Sequence, residues 1–275
     1  MKTILVVANE TLGGAALFQA VRDKVEDAGG DARVVVCVPR NRPKHGNIIY
    51  DDFVFDAAKV RIDLARRFLR AAGINAIGEV GDPDPYSATM DAVLEHHPDH
   101  VIISTYPATS SGWLRRDLIE RVEDAVDVPV DHVVVDVDSE GLPFQVTLVV
   151  ANRTASADAL LERLKQKGEG QEHVYIVVVP QEGGTGTDAA RARARMAQLV
   201  DRLIAEGLLA AGMIADPDPY TAVMNAAQLF RIDDIVISTL PATRSGWLRT
   251  DLIERVKRAT GKPVEHVEVQ ERTAA

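Results

Sequence analysis

Residues 82–133 read DPDPYSATMDAVLEHHPDHVIISTYPATSSGWLRRDLIERVEDAVDVPVDHV, and residues 216–267 read DPDPYTAVMNAAQLFRIDDIVISTLPATRSGWLRTDLIERVKRATGKPVEHV. The second stretch follows the first at a constant offset (216 − 82 = 134) without gaps, and about three positions in five are identical. Similarity at one long fixed period marks a repeated structural unit, so the chain reads as two copies of one domain. The expected boundaries are 1–138 for the first domain, 139–145 for a linker overlapping the DSEGLP stretch (Asp138–Pro143), and 146–275 for the second.

Working outward, the first copy alternates two kinds of segment. Thr3–Ala8, Arg33–Val38, Ile74–Val80, His100–Thr105 and Pro129–Val137 are short, apolar and β-branched, as strands buried on both faces are. Between them lie segments with helix-spaced apolar residues: Ala15–Ala28, Phe53–Ala72, Pro85 to about His96, and Trp113–Ala125. Asp84 suits a helix N-cap and Pro85 the first helical position, where no N–H is needed. Strands alternating with helices predict a parallel sheet covered by helices on both faces. The pattern restarts at Val146–Ala151, continues through helix Ala157–Lys167 and strand Val174–Val179, and reaches helix Asp188–Glu206 after a Gly183–Gly186 loop read as a linker. The expected fold class is therefore α/β, with two tandem doubly wound, five-stranded parallel-sheet domains of Rossmann-like type.

Composition narrows the functions. At 275 residues and 46% apolar, the chain can bury a core in each copy. A net charge of −10 argues against a phosphate-tracking surface, so nucleic acid is not an expected partner. The opening apolar run ends at Asn9 and Glu10, too early for a signal peptide, and no run is long enough to span a membrane. The expected protein is cytoplasmic, without a membrane partner. Cys37, the single cysteine, lies inside an apolar strand and reads as a small buried hydrophobe.

Three features resemble the universal stress protein family. Each copy opens with an apolar strand ending in Asn9 or Asn152. Each has a fourth strand ending in Ser-Thr (Ser104-Thr105, Ser238-Thr239) before a loop and a helix. Each closes on Arg-Val and Pro-Val (Arg121-Val122, Pro129-Val130; Arg255-Val256, Pro263-Val264). The resemblance spans nearly the whole chain. It implies a five-stranded unit with its ligand crevice between the first and fourth strands, and it implies pairing through the last strand. Here that would join Pro129–Val137 and Pro263–Val269 as an antiparallel pseudo-dimer within one chain, with further homodimerisation open. ATP-binding members carry G-x2-G-x9-G-[ST] after the fourth strand. In this chain Ser104 and Pro107 stand at the first two glycines, and Arg116 or Asp117 (Thr250 or Asp251 in the second copy) falls near the third. The family's nucleotide-contacting aspartate near the first strand is an asparagine. The resemblance is thus to a branch with a degenerate ATP motif.

The candidate site follows from these residues. In an open α/β sheet ligands sit beyond the strands' C-terminal ends, where strand order reverses. The loop Thr105–Arg115 brings Thr109, Ser111 and Gly112 towards a helix start, with Arg115 expected in its first turn. Hydroxyls, free N–H groups and a guanidinium suit an anion. The candidates are Asn9, Thr105, Thr109, Ser111, Gly112 and Arg115, with Asn152, Thr239, Thr243, Ser245, Gly246 and Arg249 in the second copy. The competing reading is a capped helix, with Ser111 as its cap.

Other motifs have simpler readings. Asp82/Asp84 and Asp216/Asp218 read as turn and cap residues, Trp113 and Trp247 as packing residues, and His96, His97, Asp99 and His100 as a solvated loop. No metal site and no catalytic constellation is expected. Two functions remain: a non-catalytic stress-response or regulatory protein binding ATP, another adenine nucleotide or another small anion, and a ligand-free module that binds a protein partner.

Overall fold

The computed structural model describes residues 1–40, 51–107, 113, 117–170, 172–183, 185–241 and 251–269, with 51 and 52 described by their backbone alone. The described residues divide into two compact units, one within Met1–Pro143 and the other within Phe144–Ala275.

In the first unit the order is β1 (Lys2–Val7), α1 (Ala15–Asp27), β2 (Ala32–Pro39), α2 (Asp51–Ala71), β3 (Asn75–Gly81), α3 (Pro85–His96), β4 (His100–Thr105), α4 (Leu118–Glu123), β5 (Val130–Val134) and α5 (Val137–Glu140). The second unit repeats it with β6 (Gln145–Val150), α6 (Asp158–Gly168), β7 (His173–Pro180), α7 (Gly186–Ala205), β8 (Leu209–Ala215), α8 (Pro219–Leu229), β9 (Asp234–Thr239), α9 (Leu252–Thr260) and β10 (Val264–Glu268). The sheets run β3-β2-β1-β4-β5 and β10-β9-β6-β7-β8, every pairing parallel. Strand order therefore reverses between β1 and β4, and between β6 and β9, as the family resemblance implied. Among the described residues, no helix is long and apolar enough to cross a membrane.

The apolar strands are continuous because both faces are covered. Along β1, Ile4 and Val6 join a core with α1 and α2, while Leu5 and Val7 join one with α3 and α4. Val35 and Cys37 lie in the second of these cores, and Cys37 is fully buried. Its thiol is pushed up to about 12 by burial and, secondarily, by the Glu79 carboxylate, so it stays protonated.

Helix starts follow the expected chemistry at α3 and α8. The Asp84 carboxylate accepts from Ser87 N at 3.0 Å, and Asp218 accepts from Thr221 N at 2.9 Å, each followed by proline. Asp82 and Asp216 accept from the backbone N–H of Asp84 and Asp218, both at 2.8 Å. All four carboxylates are thus occupied by turns and caps.

Three boundaries differ from expectation. The last strand of the first unit stops at Val134, because Val135 turns inward against Gly14 and Val137 opens α5. That short helix occupies the start of the stretch read as linker. Thr185 and Gly186, also read as linker, instead begin α7: the Thr185 hydroxyl accepts from Asp188 N at 3.2 Å and the Asp188 carboxylate from Thr185 N at 3.3 Å. This reciprocal capping box satisfies two amides that a free loop would leave to water. The third is α4, which starts at Leu118 with Asp117 at its N-cap, so Trp113 precedes it in a turn.

Candidate functional site

The site is built on the turn after the first strand of each unit. Asn9 ends the strand, and the turn closes through Leu12 N to Asn9 O (3.1 Å) and Gly14 N to Thr11 O (3.0 Å). The second unit repeats it with Ala155 N to Asn152 O (3.1 Å) and Ala157 N to Thr154 O (3.0 Å). A threonine hydroxyl then ties this turn to the end of the fourth strand. Thr11 Oγ1 donates to Ser104 O at 3.4 Å, and Thr154 Oγ1 to Ser238 O at 3.1 Å. The crevice predicted by strand reversal is therefore bridged at its floor in both units. Sequence reasoning passed over these threonines, although Asn-x-Thr after an apolar strand in both copies was the available signal.

The two asparagines sit in different electrostatic settings. Asn9 Nδ2 donates to Pro39 O at 2.8 Å, which locks the amide and fixes where Oδ1 points. Asn9 is 4% exposed, and Oδ1 has no hydrogen-bond partner among the described residues. Leaving such an acceptor unmet costs about 1–3 kcal/mol, so it marks a place where a donor is wanted. In the second unit Asn152 Oδ1 already accepts from Arg195 Nη1 at 2.5 Å.

Arg195 has a counterpart at the same offset (195 − 61 = 134), Arg61 on α2. Burial lowers the pKa of the Arg61 guanidinium, while the Glu10 carboxylate and Tyr106 act to raise it. Tyr106 in turn is pushed up by burial and by Glu10, so its hydroxyl keeps its proton. Glu10, Arg61 and Tyr106 thus form one electrostatic group where the β1 and β4 loops leave the sheet. Arg61 and Arg195 were missed because they lie upstream of the stretch where the repeat is strongest.

The second unit closes the same region with its own charges. Glu182 pairs with Arg153 at 2.8 Å and Arg195 at 3.2 Å, and Arg191 bridges from Glu182 (3.8 Å) to Asp188. The hydrogen bond from Arg153, followed by the charge of Arg195, holds the Glu182 carboxyl below its usual range against a desolvation cost.

Thr105 and Thr239 end the fourth strands, and both are buried. Thr105 Oγ1 lies 2.8 Å from His132 Nε2 and 2.8 Å from Tyr106 O; Thr239 Oγ1 repeats both distances with His266 and Leu240. A hydroxyl has one proton, so when it donates to the carbonyl the imidazole must donate from Nε2. The two histidines thus anchor the strand ends. Burial lowers the pKa of His132, against an opposing pull from Glu123.

Asp117 and Asp251 take left-handed φ values of 48° and 49° at the starts of α4 and α9. Aspartate tolerates this region better than most residues, and both units use it where the chain returns to the helix. The remaining candidates, Thr109, Ser111, Gly112 and Arg115 with Thr243, Ser245, Gly246 and Arg249, lie outside the described residues.

The other sequence motifs resolve into packing and pairing. Trp113 packs against the core shared by β1, β2, β4 and α3, whereas Trp247 lies outside the described residues. The Asp99 carboxylate accepts from Thr3 N at 2.8 Å, as Asp233 does from Val146 N at 2.8 Å. His100 pairs with Asp131 at 2.9 Å, and His97 caps α3 in a left-handed conformation.

No protein-family model matches the chain, and no curated protein matches it. Among solved structures it is similar to a universal stress protein from Archaeoglobus fulgidus DSM 4304, at 19% identity over 97% of this chain and 96% of that one, with a TM-score of 0.37. It is also similar to a putative universal stress protein from Pseudomonas aeruginosa UCBPP-PA14, at 12% identity over 98% and 93% of the two chains, with a TM-score of 0.34. A third similarity, to Acinetobacter baumannii MurG, has 11% identity over 100% and 87% and a TM-score of 0.21.

Proposed function

We propose that this protein is a non-catalytic, stress-response or regulatory binding protein of universal-stress-protein type, taking a small anionic ligand in the crevice between β1 and β4. An adenine nucleotide is the leading candidate. The observation that carries this reading is Asn9 Oδ1, a buried acceptor held in place by Pro39 and without a partner among the described residues. A base amino or imino group would satisfy it. The charge of Arg61 suits a phosphate, and Thr109, Ser111, Gly112 and Arg115 would complete the anion end.

A second reading applies to the second unit. There Arg195 occupies the acceptor of Asn152 and Glu182 neutralises the arginines around it. That unit supports the alternative of a ligand-free module that binds a protein partner.

The test is mass spectrometry of small molecules released from the purified protein, with calorimetric titration of ATP, AMP and cyclic AMP. Bound nucleotide that is lost in Arg61→Ala supports the reading. Absence of any bound molecule, with no heat at millimolar nucleotide, overturns it in favour of the protein-partner module.

A further inference from the structure

Away from the crevice, Glu79 on β3 and Glu95 and His96 on α3 bring one ligand atom each within 4.8 Å of one another. His96 Nε2 and Glu79 Oε2 are 2.8 Å apart. Two donors on one zinc-sized ion, each bonded at about 2.0–2.2 Å, lie about 3 Å apart, so a few tenths of an ångström of opening admits the ion. Glu95 and His96 also sit in the last turn of α3, where free carbonyls give negative potential and a cation is favoured.

The second unit supplies the control. At the offset of 134, Glu79, Glu95 and His96 correspond to Met213, Leu229 and Phe230. The second unit therefore carries three buried apolar side chains at these positions, so the repeated fold does not require the polar set. An ion pair alone would explain Glu79 and His96, but leaves the convergence of Glu95 unexplained. The sequence places His96 in a solvated loop with His97, Asp99 and His100, whereas the structure places it in the last turn of α3. The partner that matters comes from a different element.

We propose that Glu79, Glu95 and His96 form a binding site for a first-row divalent transition-metal ion, with water filling the remaining positions. One imidazole with two carboxylates selects zinc, cobalt or manganese class ions over calcium and magnesium, which prefer an all-oxygen shell. The site is independent of the crevice.

Cobalt(II) and zinc(II) titrated into the full-length, nucleotide-free protein test it, by visible absorption and calorimetry. The expected result is one ion per chain, with affinity reduced at least tenfold in His96→Phe and in Glu79→Met. Both substitutions use side chains that the second unit already carries, which favours folding, and circular dichroism checks that they fold. His100→Asn should bind as the parent does. No binding by the parent, or equal binding by His96→Phe, would overturn the proposal.

Discussion

Asn9 and Asn152 end equivalent strands, begin the same turn and lie above the same Thr-to-carbonyl bridge, yet among the described residues one acceptor has no partner and the other is filled. The difference is supplied by the helix above. Arg195 reaches Asn152 within a cluster that includes Glu182, while Arg61 is drawn towards Glu10 and Tyr106. One framework thus carries an acceptor without a partner among the described residues in the first unit and a satisfied one in the second. The lesson is that the repeated residues specify the frame, and the unrepeated neighbours decide what the frame does.

The largest expected effects test whether the frames are equivalent. Leu5 and Leu148 occupy matching positions in β1 and β6, and both are 0% exposed. Replacing either with alanine should cost about 2–5 kcal/mol, measured by denaturant unfolding. A large disparity between them would break the equivalence. Next comes Gly81, where an added Cβ would lie 2.7 Å from Ala88 Cβ and 2.9 Å from Cys37 Sγ. Its counterpart is Ala215 (215 − 81 = 134), and by strand register the counterpart of Cys37 is Val178. Gly81→Ala should therefore destabilise by about 1–3 kcal/mol. Ala215→Gly should cost about 1 kcal/mol or less, reflecting the entropy of glycine in a strand. Asp84→Ala and Asp218→Ala should each remove about 1 kcal/mol, and equally, since the two caps share one geometry.

The smallest effect is specific to the second unit and depends on pH. The folded pKa of Glu182 is depressed, chiefly by the hydrogen bond from Arg153. Its contribution is present above the ordinary glutamate range and is lost as pH falls through the lower folded value. Arg153→Ala should flatten that acid limb, seen as a smaller change in unfolding midpoint on going from pH 6 to pH 3. An unchanged slope would remove Glu182 from the account.

Much of the frame was legible because buried parallel strands leave a plain signal. Runs such as TILVVA and VTLVVA can only be covered on both faces, and Asp-Pro pairs fix helix starts locally. Less legible was anything that depends on two distant elements meeting. His132 reaches Thr105 although its register partner in β4 is Ile103, so pairing alone does not suggest the contact. Arg61 and Arg195 look like ordinary helix-surface residues until β1 and β6 are placed beneath them. The start of α7 was misread because glycines at 183, 184 and 186 mask the local Thr185–Asp188 cap.

The central proposal is that the first unit alone takes a ligand, and the number of ligands per chain tests it most directly. Calorimetric titration with adenine nucleotide should give one site in the parent, none in Asn9→Ala of unchanged melting temperature, and one in Asn152→Ala. Two equal sites in the parent, or a site retained in Asn9→Ala and lost in Asn152→Ala, would contradict it.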